Sequence, residues 1–261
     1  MQYDHVDVAF SAQVATVTLN RPDVRNAFNE AMIAELTGVF ESMGERQDVR
    51  AVVLAANGKA FCAGADLNWM KKMAGFSDDE NRADAMRLAN MLSAIYRCPQ
   101  PVIARVSGDA YAGGMGLIAA CDIVVAVDTA RFCLSEARLG LIPATIAPYV
   151  IRALGEQASR RYFTTAEQFD CATALRLGLV SEMVAAERLD ATVQQLVETL
   201  VANSPHAVRE CKRLVQDVAG RTLDTALIED TAARIARIRA SEEGREGVAS
   251  FLEKRAPAWR I

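Results

Sequence analysis

Two runs of small residues constrain this chain more than any other feature: Phe61-Cys62-Ala63-Gly64-Ala65-Asp66-Leu67 and Ser107-Gly108-Asp109-Ala110-Tyr111-Ala112-Gly113-Gly114-Met115-Gly116-Leu117. Each follows a β-branched run and opens onto a helix-like stretch, so the chain passes from strand to tight loop to helix twice. Close packing and a tight turn account for either run alone. Taken together they have a second reading, because backbone N–H groups left free at such junctions can converge on one oxygen that gains negative charge. A third segment, Phe132 to Pro143, sets Glu136 in an otherwise apolar stretch. Two donor loops and one desolvated acid are the parts an enolate-forming enzyme needs.

Around these loops the pattern is α/β. Val6, Val8 and Phe10, then Val14 to Leu19, alternate at period two as a hairpin of strands, and Ala51 to Ala56, Val102 to Val106 and Ile123 to Val127 read as buried strands. Asn29 is placed to cap a helix through Ile33, Leu36, Phe40 and Met43, and Ser77 with Glu80 matches a capping box for a helix running to Tyr96. Repeated strand-then-helix units predict a largely parallel sheet covered by helices. From Leu189 the pattern is helical throughout, broken at Gly220 and Ser241. With no Gly-, Ser- or Pro-rich linker, residues 1–188 read as a core and residues 189–261 as its helical extension.

Composition narrows the function. A net charge of -4 without basic clusters argues against nucleic acid as a partner. The most apolar stretch, Ala110 to Val127, is interrupted by Asp122 and three glycines, which argues against a membrane span. The N-terminal residues show neither secretory nor transit character, so a cytoplasmic protein is expected. Six cysteines without a Cys-x-x-Cys pair and only two histidines suggest no metal site, and the cysteines are expected to be reduced and mostly buried.

Nearly end to end, the chain resembles the crotonase family, the enoyl-CoA hydratase/isomerase superfamily. The resemblance rests on an ordered set: Asn20-Arg21-Pro22 with Asn26-Ala27, Ala63 to Leu67, Gly113-Gly114, Cys121-Asp122-Ile123, Ser135-Glu136, Leu139 to Pro143, and Phe251 to Arg255. It implies a crotonase (ClpP/crotonase-like) fold of repeated ββα units, with the tail helices serving association into a trimer or a hexamer built as a dimer of trimers. It further implies an acyl-CoA substrate, coenzyme A entering only as part of that substrate, with no prosthetic group.

Residue by residue, the resemblance puts the two oxyanion donors on the N–H groups of Ala65 and Gly113 and an acid/base role on Glu136. It lays coenzyme A along Arg25, Ala27, Ala63, Gly64, Ala65, Asp66 and Leu67, with Phe251 and Lys254 reaching the adenine and phosphates at a subunit boundary. Other roles stay open: a surface charge for Arg25, a helix cap for Asp66. The family's second glutamate falls on Gly116. That departure speaks against the two-glutamate hydratase mechanism and leaves three alternatives: a one-glutamate hydratase, a 3,2-enoyl-CoA isomerase, or a catalytically silent CoA-binding member.

Gly140 to Val150, with Asp66 to Lys71 and Gly114 to Leu117, is similar to bacterial methylglutaconyl-CoA hydratases of leucine breakdown and isohexenylglutaconyl-CoA hydratases of terpene breakdown. This favours hydration of a branched or carboxylated 2-enoyl-CoA such as 3-methylglutaconyl-CoA. On this reading Gly116 leaves room for the acyl branch or carboxymethyl arm, and Trp69, Met70, Ile146 and Tyr149 line the pocket or belong to the core. Arg138 is open to two roles, binding a distal carboxylate or pairing with an acid such as Glu136.

Overall fold

The computed structural model describes residues 3–260, which form ten strands in two sheets. The larger sheet has the order β1 (Val6–Ser11), β2 (Val14–Leu19), β3 (Ala51–Ala56), β5 (Val102–Val106), β7 (Ile123–Val127) and β10 (Glu182–Val184). The hairpin β1–β2 is antiparallel and every later pairing is parallel. All of β3 is buried, as a central parallel strand covered on both faces must be. The smaller sheet is β4 (Ala60–Cys62), β6 (Asp109–Tyr111), β8 (Arg131–Cys133) and β9 (Gln168–Asp170).

The two sheets interleave along the chain. β3 leads to β4, β5 to β6 and β7 to β8, and a helix follows each short strand: α2 (Leu67–Met73), α4 (Gly113–Ala120) and a 3-10 turn at Glu136–Leu139. These are the repeated ββα units. Because β4, β6 and β8 are parallel neighbours, their C-terminal ends lie side by side. The three segments singled out in the sequence are the continuations of those ends.

Helices cover the sheets. α1 (Glu30–Glu45) starts where the Asn29 side chain accepts the Met32 N–H, and it buries Ile33, Leu36, Phe40 and Met43. α3 (Asp78–Arg97) carries the full capping box of Ser77 and Glu80 and packs on α1. α5 (Ala147–Leu154), α6 (Glu156–Thr165) and α7 (Cys171–Leu177) follow the 3-10 turn. The tail holds α8 (Leu189–Ala202), α9 (Pro205–Val218), α10 (Thr225–Ala240) and α11 (Glu242–Leu252).

The helical run expected from Leu189 onward is not uniform. α8 buries Leu189, Val193 and Val197 and contacts β3, β5 and β7, so it belongs with the core. α9 buries no residue fully, and α10 buries only Leu227. Polar bonds tie α9 down instead: Lys212 donates to Asp122, whose carboxylate also accepts the Val102 N–H. The Cys121-Asp122-Ile123 motif thus anchors the tail to β5. All six cysteines are free; four are buried, Cys121 is half-buried and Cys211 is exposed.

A buried arginine fixes the end of the chain. The Arg50 guanidinium donates to Gln13 Oε1 at 3.1 Å, the Asn203 carbonyl at 2.6 Å and the Trp259 carbonyl at 3.0 Å. These acceptors sit in the β1–β2 turn, at the end of α8 and near the C-terminus. Arg50→Met should therefore destabilise the protein by about 3 kcal/mol, the cost of leaving such acceptors without a donor. Urea unfolding at constant pH checks this; a change under about 0.5 kcal/mol would match an ordinary surface substitution and contradict the clamp.

Candidate active site

The first donor loop is held by a scaffold built from the Asn20-Arg21-Pro22 and Asn26-Ala27 residues. Buried Asn26 donates to the Asn57 and Ala60 carbonyls and accepts the Arg21 N–H. Arg21 reaches the Ala27 carbonyl and Asp66. Residues 25–28 are thereby laid against residues 63–66: Ala63 donates to the Arg25 carbonyl, Phe28 donates to the Gly64 carbonyl, and Asp66 donates to the Phe28 carbonyl. In this parallel bridge Phe28 uses the peptide groups on either side of Ala65. The Ala65 N–H takes no part, and no acceptor meets it among the described residues.

The second donor is the first residue of α4, whose N–H lies ahead of any intrahelical acceptor. Gly113 has to be glycine for space: a Cβ there would lie 2.5 Å from Phe28 Cε2. The residue before it, Ala112, holds an unusual φ of 46° at the helix entrance and donates to the Cys133 carbonyl of β8. The two loops touch. Gly64 sits at φ +92°, and a Cβ on it would come within 3.0 Å of Ala112 Cβ and 3.3 Å of the Tyr111 carbonyl oxygen. Free N–H groups of both loops border one cavity of about 570 Å³.

Glu136 lines the same cavity, at the start of the 3-10 turn that follows β8. Its Oε2 is buried and has no hydrogen-bond partner among the described residues. Burial pushes its carboxyl above the usual carboxylate range, opposed by a weaker backbone hydrogen bond. Arg138 forms no ion pair with it among the described residues, and that guanidinium donates to the Ala166 carbonyl. A partly desolvated carboxyl with one unpartnered oxygen, on the same cavity as two free backbone donors, can pass a proton to and from a carbon whose charge is held on oxygen.

Ala63, Ala65, Leu67, Trp69, Met70 and Ile146 also line the cavity. Several other expected residues do not. Gly64 and Ala27 stand behind the lining as supports, and Arg25 contributes its carbonyl to Ala63. Asp66 caps α2 through Asn68 and pairs with Arg21 at 2.9 Å, which makes it structural. Phe251, 81% exposed on α11, and Lys254 just beyond it form no part of the cavity in one chain.

Two expectations for the acyl pocket need correction. Gly116 offers no open space, since a Cβ there would meet Ile146 Cγ2 at 2.3 Å; the Ile146 side chain already fills the volume. Tyr149 turns away from the cavity and packs edge-on against Tyr96, with ring centroids 5.4 Å apart. Gly116→Ala should accordingly cost about 1–3 kcal/mol through overpacking. Thermal unfolding that matches wild type would show that Ile146 yields freely.

Sequence reading missed the contribution of α3. Asn81, Asp84, Ala85 and Leu88 form one wall, and Asp84 is only 4% exposed. The signal was present: Asp84, Leu88, Met91 and Ile95 fall at spacings of four, three and four, placing an acid on an apolar stripe. A larger cavity of about 730 Å³, between the six-stranded sheet and α8, shares none of these groups.

Parallel ββα units whose loops present two free donors and one acid to a single cavity define an acyl-transfer or enolate-forming class of enzyme. Residues 9–261 match the family model described as enoyl-CoA hydratase/isomerase, and the chain belongs to that family. Enoyl-CoA hydratase ACTT6 of Alternaria alternata is 32% identical over 94% of this chain and 80% of its own. An enoyl-CoA hydratase structure from Shewanella pealeana superposes with TM-score 0.96 at 43% identity, covering 99% of this chain and 97% of that one. Pseudomonas aeruginosa AtuE gives TM-score 0.94 at 34% identity, with 99% and 100% covered.

Proposed function

We propose that the protein adds water across the double bond of a 2-enoyl-CoA with a branched, carboxylated acyl group, 3-methylglutaconyl-CoA being the representative substrate. The observation that carries this reading is the buried Glu136 Oε2, without a hydrogen-bond partner among the described residues, on the cavity that the free Ala65 and Gly113 N–H groups border. Hydroxide from water bonds to the β-carbon as Glu136 takes the water's proton. The thioester oxygen gains the negative charge and is held by the two N–H groups. Glu136 then returns the proton to the α-carbon, so one carboxyl serves both transfers where Gly116 supplies none.

The acyl preference is supported by position. Of the segment that carries the resemblance to methylglutaconyl-CoA hydratases, Leu141 to Ile146 form a wall of the cavity. Coenzyme A lies along Arg25, Ala27 and Ala63 to Leu67, with Phe251 and Lys254 meeting its adenine and phosphates across a subunit boundary. The tail carries that association, and the exposed apolar side chains Val215, Leu223, Ile228 and Phe251 favour it. A mass measurement should return a trimer or hexamer; monomer alone at micromolar protein would remove this part.

Mixing the enzyme with 3-methylglutaconyl-CoA should abolish the conjugated enoyl-thioester absorbance and place labelled oxygen from water in the product. A shifted double bond without oxygen label would mean isomerisation. Acyl-CoA binding with no turnover across short and branched enoyl-CoAs would mean a silent member.

A further inference from the structure

The cavity walls carry two carboxylates, Glu136 and Asp84, and no Lys, Arg or His among the described residues. A carboxylated acyl group cannot be desolvated there without a cation. One cation is bonded to a wall side chain: Arg87, whose Nη2 lies 2.6 Å from Asp84 Oδ1. The two residues are three apart on α3 and share a face. Asp84 is further fixed by the Trp69 indole N–H at 3.4 Å.

We infer that Arg87 receives the distal carboxylate of the acyl group and determines the preference for carboxylated substrates. This rests on the hydratase reading above. Asp84 takes one of the five guanidinium donors and is the sole hydrogen-bond partner of Arg87 among the described residues, so donors remain for a second carboxylate. The Arg87 side chain is 51% exposed, open to an incoming group, while its 5% exposed partner holds it in place. Among other cations near the lining in sequence, Arg138 donates to the Ala166 carbonyl and Lys72 to Glu30. The arrangement also gives a role to a buried acid that the water-addition chemistry leaves unused.

Equilibrium binding of glutaryl-CoA and pentanoyl-CoA, which differ in a terminal carboxylate against a methyl group, tests the assignment without turnover. Wild type should bind glutaryl-CoA at least as tightly as pentanoyl-CoA. Arg87→Met should lower the glutaryl-to-pentanoyl affinity ratio about 10-fold or more, as loss of a charge-assisted hydrogen bond does. Arg87→Lys should recover part of it, a result that a purely structural role for Arg87 would not give. A ratio unchanged in Arg87→Met, or a wild type that strongly prefers pentanoyl-CoA, overturns the assignment. If Arg87→Met fails to fold, the wild-type ratio and Arg87→Lys decide. Failure to hydrate any enoyl-CoA would instead sink the hydratase reading and leave these binding ratios readable.

Discussion

Glu136→Gln is expected to keep the fold and acyl-CoA binding while lowering hydration ~10²–10⁴-fold, the usual contribution of a positioned acid–base group. Gln has nearly the same volume and still hydrogen-bonds, but it carries no transferable proton. In wild type, the acidic limb of kcat/KM should lie above the ordinary carboxylate range, because burial raises the Glu136 carboxyl. The limb should vanish from the residual activity of Glu136→Gln.

Stability should move the opposite way. A carboxyl with a raised folded pKa binds more protons folded than unfolded, so its stabilising contribution is complete below the unfolded value and is lost as pH rises through the folded one. At neutral pH Glu136→Gln should therefore be at least as stable as wild type. Turnover by this variant close to wild type would overturn the assignment of the acid.

Gly113→Ala is the second large effect. Its methyl would sit 2.5 Å from the ring of Phe28, which is fully buried and itself lines the cavity. Because the ring has little room to move, the α4 entrance must shift and carry the N–H donor with it. Loss of one oxyanion donor costs about 2.7–4 kcal/mol, or 10²–10³ in kcat. Single-turnover kinetics on a sample whose circular dichroism matches wild type would separate this from misfolding. An unchanged kcat would mean that the Gly113 N–H does not hold the charge.

The parts of the fold that were legible in the sequence are those with a long repeat. The strands at 14–19, 51–56, 102–106 and 123–127 have the extents read from period and burial, and the caps at Asn29 and Ser77 sit where their side chains allow. The strands of the second sheet are three residues each, too short to show alternation. Yet it is their adjacency that brings the two loops and Glu136 together.

For the site, the placement of the two backbone loops was readable because small residues at a strand-to-helix junction mark a tight turn, whereas the placement of side chains depended on direction. Tyr149 and Ile146 are three residues apart, and one faces Tyr96 while the other closes over Gly116. The absence of a side chain at Gly116 suggested free volume, but a neighbour distant in sequence occupies it. Asp84 escaped notice because a helix rich in charge hides one buried acid among many solvated ones.

The contact between the Gly64 loop, Gly113 and Phe28 also divides the site by its tolerance of change. On that side a single methyl collides with backbone or a buried ring, so the donors are frozen into one arrangement before any substrate arrives. The opposite wall has Leu139 at 61% exposure and Ile142 at 78%, positions where side chains can change size at little cost to the core. Pocket shape can therefore drift over generations by substitutions at 139 and 142 while the donor arrangement is inherited unchanged.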